Sequence, residues 1–235
     1  MIGILNAYHV ELTPAEYQLE YGGIFVDFVK ATLPDEEIRV YKTGLGELPT
    51  SIDECDGWII TGSAKSVFQE EEWIKNLGEF VRDLHKNKKK LVGLCFGHQL
   101  IAHFLGGETQ RSNKGWGVGV RQFEVTSHKP WMTPMISECA LIFSHQDQVI
   151  KLPSGAELLG QDDFCPNQMY SIENHIFCMQ GHPEFTPSFA RGRLDARVSL
   201  IGQPTYDKAV ESLTKPTDAK VVSQWLRQFF SIMTK

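Results

Sequence analysis

The strongest chemical pattern in the chain lies at residues 91–99, which read LVGLCFGHQ. An apolar run ends there in the sequence GLCFG at 93–97, which matches the nucleophile-elbow pattern with Cys95 in the position of the nucleophile. A strand that turns into a helix within one residue strains the backbone at the nucleophile and leaves no room for side chains at the flanking glycines. The pattern therefore predicts a Cys95 thiol at the amino end of a helix, where backbone amides favour the thiolate. The alternative is a buried structural cysteine.

A cysteine nucleophile needs a base, and the base needs an acceptor that orients it. Residues 180–184 read QGHPE and follow the apolar segment 176–179, so His182 and Glu184 fall on a loop at the end of a predicted strand. A lone histidine before proline is usually a satisfied loop residue. Together with the cysteine elbow, however, this segment predicts a Cys95, His182 and Glu184 triad.

The first half of the chain alternates strands and helices. Apolar runs predict strands over 2–6, 37–42, 57–61 and 91–95, and helical spacing predicts helices over 13–32, 70–86 and 97–105. The first of these helices is expected to start with Thr13 as its cap and Pro14 in its first turn. This order predicts a flavodoxin-like or Rossmann-like α/β fold, with a mainly parallel central sheet between two layers of helices.

The predicted order of strands and helices changes after Gly107. Short strands are predicted over 118–126, 141–144, 157–160, 169–173 and 176–180, with a two-residue hairpin at 174–175, and they add a smaller antiparallel sheet. Thr186 and Pro187 open a helix predicted to run to Leu200, and further helices are expected over 205–213 and 217–233. Because no linker interrupts the chain, residues 1–235 are expected to form one domain.

Composition excludes several classes of protein. Hydrophobic residues make up 42% and charged residues 22% of the 235 residues, which is typical of globular proteins and not of disordered ones. The net charge of −6 argues against a nucleic acid or an anionic membrane as the main partner. No apolar run is long enough to span a membrane. The five cysteines are odd in number and show no C-x-x-C spacing, which favours reduced thiols and a cytoplasmic location.

Metal and cofactor sites are not indicated by the sequence. His98 and His103 are spaced i, i+5, which does not place them on one helix face for a metal. The glycine-rich segment 115–119 (GWGVG) matches neither phosphate-binding fingerprint. We expect no metal and no cofactor.

The two motifs GLCFGHQ and QGHPE together resemble those of the class I (triad) glutamine amidotransferases, and in particular the stand-alone proteins similar to the amidotransferase domain of GMP synthase. The resemblance covers nearly the whole chain. It is supported by three further segments, which are IITGS at 59–63, KGWGV at 114–118 and SHQDQV at 144–149.

The resemblance implies roles for individual residues. Cys95 would attack the side-chain amide of glutamine to form a thioester and release ammonia, with His182 transferring protons and Glu184 orienting it. The backbone amides of Phe96 and of the Gly62 region would form an oxyanion hole. The glutamyl amino and carboxylate groups would be bound by a set of four residues, Gln99, Ser144, His145 and Gln146.

Three functions remain open on the sequence. The first is a glutaminase that supplies ammonia to a separate synthetase partner. The second is a free-standing hydrolase of γ-glutamyl peptides or conjugates, because the same triad would serve any γ-glutamyl carbonyl. The third is a non-catalytic regulatory protein on the same fold, against which the intact triad argues.

Overall fold

The computed structural model describes the backbone of residues 1–8 and 15–232, and the side chains of residues 1–8 and 23–232. The predicted cap at Thr13 and Pro14 lies outside the described residues. Within the described part, no helix is long and apolar enough to cross a membrane.

A nine-stranded sheet forms the centre of the molecule, in the order β2-β1-β3-β4-β11-β10-β9-β6-β7. The first five strands in this order pair in parallel; they are β2 (Ile38–Tyr41), β1 (Ile2–Leu5), β3 (Gly57–Ile60), β4 (Lys90–Leu94) and β11 (Ile176–Met179). All except β2 are buried along their whole length, as expected for parallel strands covered on both faces.

The remaining strands of the central sheet pair antiparallel. They are β10 (Met169–Ile172), β9 (Ala156–Gln161), β6 (Gly117–Val125) and β7 (Glu138–His145). A separate two-stranded antiparallel sheet joins β5 (Glu108–Arg111) to β8 (Asp147–Lys151). The predicted fold class is therefore confirmed, with most of the late strands extending the central sheet.

Helices cover both faces of the parallel strands. On one face, α1 (Ala15–Thr32) and α7 (Ala219–Ser231) pack on the strand residues Ile4, Ile59 and Val92. On the other face, α2 (Glu72–Lys86) and α3 (Phe96–Phe104) pack on the neighbouring positions Leu5, Ile60 and Leu91. Since successive side chains of a strand point to opposite faces, each strand contributes to both layers of core.

A third apolar cluster lies beside β6 and β7 and holds the helices that follow the QGHPE segment. These are α4 (Pro187–Asp195), α5 (Val198–Ile201) and α6 (Gln203–Ser212). Thr186 caps α4, because its Oγ1 accepts a hydrogen bond of 3.2 Å from the amide of Phe189, and Pro187 occupies the first turn. The predicted helix start is confirmed.

Three details of the sequence prediction were wrong. The helix expected over 186–200 is broken at Ala196 and Arg197 into α4 and α5. The hairpin between β10 and β11 has a three-residue loop, 173–175, because Ile172 pairs with Ile176 and Glu173 adopts a φ of 49°. The strands β5 and β8 were not predicted, since polar residues predominate in both (ETQR and DQVIK) and leave no apolar alternation.

Candidate active site

Two adjacent parallel strands bring Cys95 and His182 together. Cys95 follows β4 directly, His182 follows β11 shortly after Met179, and the register pairs Leu94 with Met179. The amide of His182 also donates to the carbonyl oxygen of Ile142 in β7 at 2.8 Å, which fixes the loop on its other side. Parallel strands end at the same edge of the sheet, so both candidate residues stand at one carboxyl edge.

The backbone at Cys95 has the strain that the elbow pattern predicts. Its φ is 51° and its ψ is −99°, a conformation that residues other than glycine rarely adopt, and the residue is buried. A Cβ atom placed on Gly93 would lie 2.6 Å from the carbonyl carbon of Gly97, and one on Gly97 would lie 2.5 Å from the carbonyl oxygen of Ile60. Both flanking positions therefore require glycine, because the obstacles are backbone atoms.

His182 is held between a carboxylate and the thiol. Its Nδ1 lies 2.7 Å from Oε1 of Glu184, and both side chains are buried. Burial by itself lowers the pKa of His182, but the charge of Glu184 and a hydrogen bond with Cys95 outweigh it and raise the pKa from its ordinary value of 6.5 to about 10. The ring of Phe185 stacks on the imidazole, with 3.9 Å between centroids and 9° between planes. The imidazole is thus fixed in orientation and favoured in its protonated form.

The two predicted oxyanion positions converge on Cys95. Phe96 is the first residue of α3, so its amide has no intrahelical acceptor. Gly62 lines the small cavity that also contains Cys95 and His182. Its loop is held in place by Thr61, whose carbonyl oxygen accepts from the amide of Gly97 at 3.2 Å. Two backbone segments therefore border the position in front of the thiol.

The four predicted substrate-binding residues all line one large cleft beside Cys95. The side-chain nitrogen of Gln99, Nε2, donates to the backbone oxygen of Asp147 at 2.8 Å and to Oε1 of Gln180 at 2.9 Å. These bonds fix the Gln99 side chain in the cleft wall. His145 is buried, its Nδ1 lies 3.1 Å from the same Asp147 oxygen, and burial lowers its pKa to about 3, which keeps the ring neutral. Ser144 and Gln146 complete this wall.

The cleft has a volume of about 720 Å³ and includes residues that the sequence motifs did not single out. Asp147 accepts a short hydrogen bond from the Ser66 hydroxyl on one side of the cleft. Arg193 and Arg197, in and just after α4, also line the cleft, and Nη1 of Arg197 lies 3.4 Å from the Ser144 hydroxyl. Asp147 lies inside the SHQDQV segment and could have been found there, whereas the arginines fall in a helix with no distinguishing local pattern.

Metal-ligating side chains do not gather at this site. Among the described residues, no group of three or more histidine, cysteine, aspartate or glutamate side chains is arranged to hold a metal ion. His98 is buried, and its Nε2 lies 2.8 Å from the backbone oxygen of Asn167, which is a structural contact.

The sequence of this chain is similar to those of known proteins. The family model of class-I glutamine amidotransferases matches residues 16–195. Gamma-glutamyl peptidase 3 of Arabidopsis thaliana is 32% identical over 221 residues, which cover 89% of each chain. A glutamine amidotransferase-like protein of Schizosaccharomyces pombe is 38% identical and covers 79% of each chain.

A solved structure shows the same fold. The glutamine amidotransferase of Methylobacillus flagellatus superposes with a TM-score of 0.74 at 21% identity, covering 98% of this chain and 92% of that one. The match of the family model to most of the chain, together with relatives above 30% identity, shows that this protein belongs to the class-I glutamine amidotransferase family.

Proposed function

We propose that this protein is a cysteine hydrolase that cleaves γ-glutamyl amide bonds in γ-glutamyl peptides or conjugates. The observation that carries the proposal is the large cleft that opens onto Cys95. Its volume of about 720 Å³ falls in the range of sites that enclose ligands much larger than one amino acid. Glutamine loses only ammonia and would leave much of this space empty.

The walls of the cleft also suit a larger leaving group. Three residues contribute apolar surface, which are Trp116, Ala196 and Leu200, and Leu200 is 68% exposed. Ammonia has no apolar surface to bury, whereas an amino-acid side chain or a conjugate would be bound more tightly because apolar surface is buried in such contacts. The cleft therefore favours a substrate that extends beyond the scissile bond.

The proposed reaction has two steps. The Cys95 thiolate attacks the γ-carbonyl carbon, and the carbonyl oxygen becomes an oxyanion held by the amides of Phe96 and the Gly62 region. As the oxyanion collapses, the C–N bond breaks, and protonated His182 gives its proton to the leaving nitrogen. Water then attacks the thioester, His182 takes a proton from it, and glutamate departs with the thiol regenerated.

The relatives support the same reading. Several Arabidopsis thaliana proteins similar to this chain are gamma-glutamyl peptidases, at 32 to 34% identity over most of their length. The family match by itself also fits a glutaminase that supplies ammonia to a synthetase partner. Both candidates use Cys95, His182 and Glu184 in the same roles, so the leaving group distinguishes them.

The test is steady-state hydrolysis by the purified protein alone, with glutamine and a panel of γ-glutamyl dipeptides as substrates. We expect the best dipeptide to exceed glutamine in kcat/KM by at least about tenfold, because the cleft contacts only the larger leaving group. The Cys95→Ala variant is the blank. Faster turnover of glutamine would favour the glutaminase, and turnover equal to the blank would favour the non-catalytic regulatory protein.

A further inference from the structure

Arg193 is a buried cation beside the candidate nucleophile. It lies in the last turn of α4, its residue is 8% exposed, and it lines both the large cleft and the small cavity that contains Cys95 and His182. Its Nη1 donates to the hydroxyl of Tyr8 at 3.2 Å. Its guanidinium carbon stands 5.8 Å from the centre of the Tyr8 ring. These contacts hold the guanidinium at the junction of the two cavities.

Arg193 differs from two other cations of the cleft, Lys65 and Arg111, in its partners among the described residues. Lys65 pairs with Glu71 at 2.7 Å, and Arg111 lies 3.6 Å from Asp147. Among the described residues, Arg193 forms no ion pair with a carboxylate, and its buried Nε has no hydrogen-bond partner. A buried charge with an unused donor is costly unless an anion completes it.

The position of Arg193 indicates which part of a substrate would supply that anion. The small cavity joins Arg193 to His182 and Phe185, on the side of Cys95 where His182 must reach the leaving nitrogen. Gln99 and Gln146, where the glutamyl half is expected, line the large cleft but are not among the residues that line the small cavity. Because Arg193 shares this cavity with His182, a leaving group whose nitrogen takes a proton from His182 would come close to the guanidinium.

We infer that Arg193 binds a carboxylate of the leaving group, which makes the substrate class γ-glutamyl peptides with a free carboxyl terminus. This inference rests on the proposed function. A carboxylate matches a guanidinium in charge and in planar, two-donor geometry. Arg197, whose Nη1 lies 3.4 Å from the Ser144 hydroxyl, adds positive charge to the same wall. Glutamine offers no such carboxylate, because its leaving group is ammonia.

The experiment compares γ-glutamyl-alanine with γ-glutamyl-alanine amide, which differ only at the carboxyl terminus. The wild-type protein should prefer the acid in kcat/KM by about 10- to 100-fold, the range for hydrogen bonds to a charged group. Arg193→Gln should remove this preference, mainly through a higher KM for the acid, and leave the amide nearly unchanged. Arg193→Lys should restore part of it. Arg191→Gln is the matched control, since Arg191 is exposed on the same helix and pairs with Asp195.

Equal turnover of acid and amide by the wild-type protein would overturn the inference, as would an Arg193→Gln variant that slows both substrates equally. Calorimetric binding of the same two peptides to Cys95→Ala separates this question from turnover. If the wild-type protein cleaves glutamine but neither peptide, the proposed function fails. In that case the binding measurement still tests Arg193: tighter binding of γ-glutamyl-alanine than of its amide by Cys95→Ala supports the role of Arg193, and equal binding contradicts it.

Discussion

The backbone amide of Cys95 donates a hydrogen bond of 2.9 Å to the carbonyl oxygen of Met179. Met179 ends β11, the strand that leads to His182, and Leu94 pairs with it in the parallel ladder. Main-chain geometry therefore sets the separation between the thiol and the imidazole. Groups held by backbone bonds need little reorganisation during a reaction, which suits a nucleophile and its proton donor.

Replacement of the nucleophile should abolish turnover. In Cys95→Ser we expect hydrolysis of the best γ-glutamyl substrate to fall by at least about 10³-fold, because a hydroxyl is a much poorer nucleophile than a thiolate. Steady-state rates measure the effect. Cys139→Ala is the control: Cys139 is buried in the core, so this variant should keep its rate and lose only stability. A Cys95→Ser protein that works at the wild-type rate would exclude covalent catalysis by Cys95.

Removal of the charge on Glu184 should both slow the enzyme and shift its pH profile. Glu184 is the strongest influence that raises the pKa of His182, so Glu184→Gln should lower that pKa from about 10. The leaving nitrogen needs a protonated His182, and activity is therefore lost as pH rises through this pKa.

The wild-type alkaline limb is expected near pH 10, from the raised pKa of His182, and the Glu184→Gln limb at lower pH. We also expect the maximal rate to fall by about 10²-fold or more, as when a histidine loses its orienting carboxylate. Profiles of kcat/KM from about pH 6 to about pH 11 test both points. An alkaline limb at the same pH in both proteins would show that another group is titrating.

Replacement of Gly93 or Gly97, the two glycines that flank Cys95, by alanine should impair the site. In Gly97→Ala the new Cβ would lie 2.5 Å from the carbonyl oxygen of Ile60, so the backbone must move and displace Cys95. A displacement of this kind can cost about 10²-fold in rate. Gly23→Ala is the matched control: Gly23 lies in α1, no atom of the described residues stands within 4 Å of the added Cβ, and the variant should gain about 0.5–1 kcal/mol in stability at unchanged activity. Rates and urea unfolding distinguish the two effects.

The ring of Phe185 should matter for the rate more than for substrate affinity. It stacks on His182 at a centroid distance of 3.9 Å and so fixes the imidazole plane. Phe185→Leu keeps an apolar side chain but removes the flat surface, and we expect kcat to fall by about tenfold with little change in KM. Phe80→Leu removes a ring that packs on Trp58 instead, and should leave kcat unchanged. Equal effects of the two variants would indicate a general loss of stability.

Much of the architecture was predictable because the signals are local. Apolar runs identified the buried strands β1, β3, β4 and β11, and Thr186 with Pro187 marked the start of α4. The break between α4 and α5 was missed because Ala196 and Arg197 carry no breaker signal. The strands β5 and β8 were missed because they are short, rich in polar residues and paired with each other in a separate sheet, so they lack the apolar runs that marked the central strands.

The sequence by itself was enough to predict the type of reaction for this site. The residue types and spacings around Cys95, His182 and Glu184 predict a nucleophile, a base and an orienting carboxylate, and Gly93 and Gly97 indicate that the turn at Cys95 has no room for side chains. Only the tertiary structure decided that β4 and β11 are neighbours, that the cleft is large, and that Arg193 lines the cavity that also contains Cys95 and His182. These features depend on how distant segments pack, and no local pattern encodes a contact between residues that meet only when the whole sheet forms.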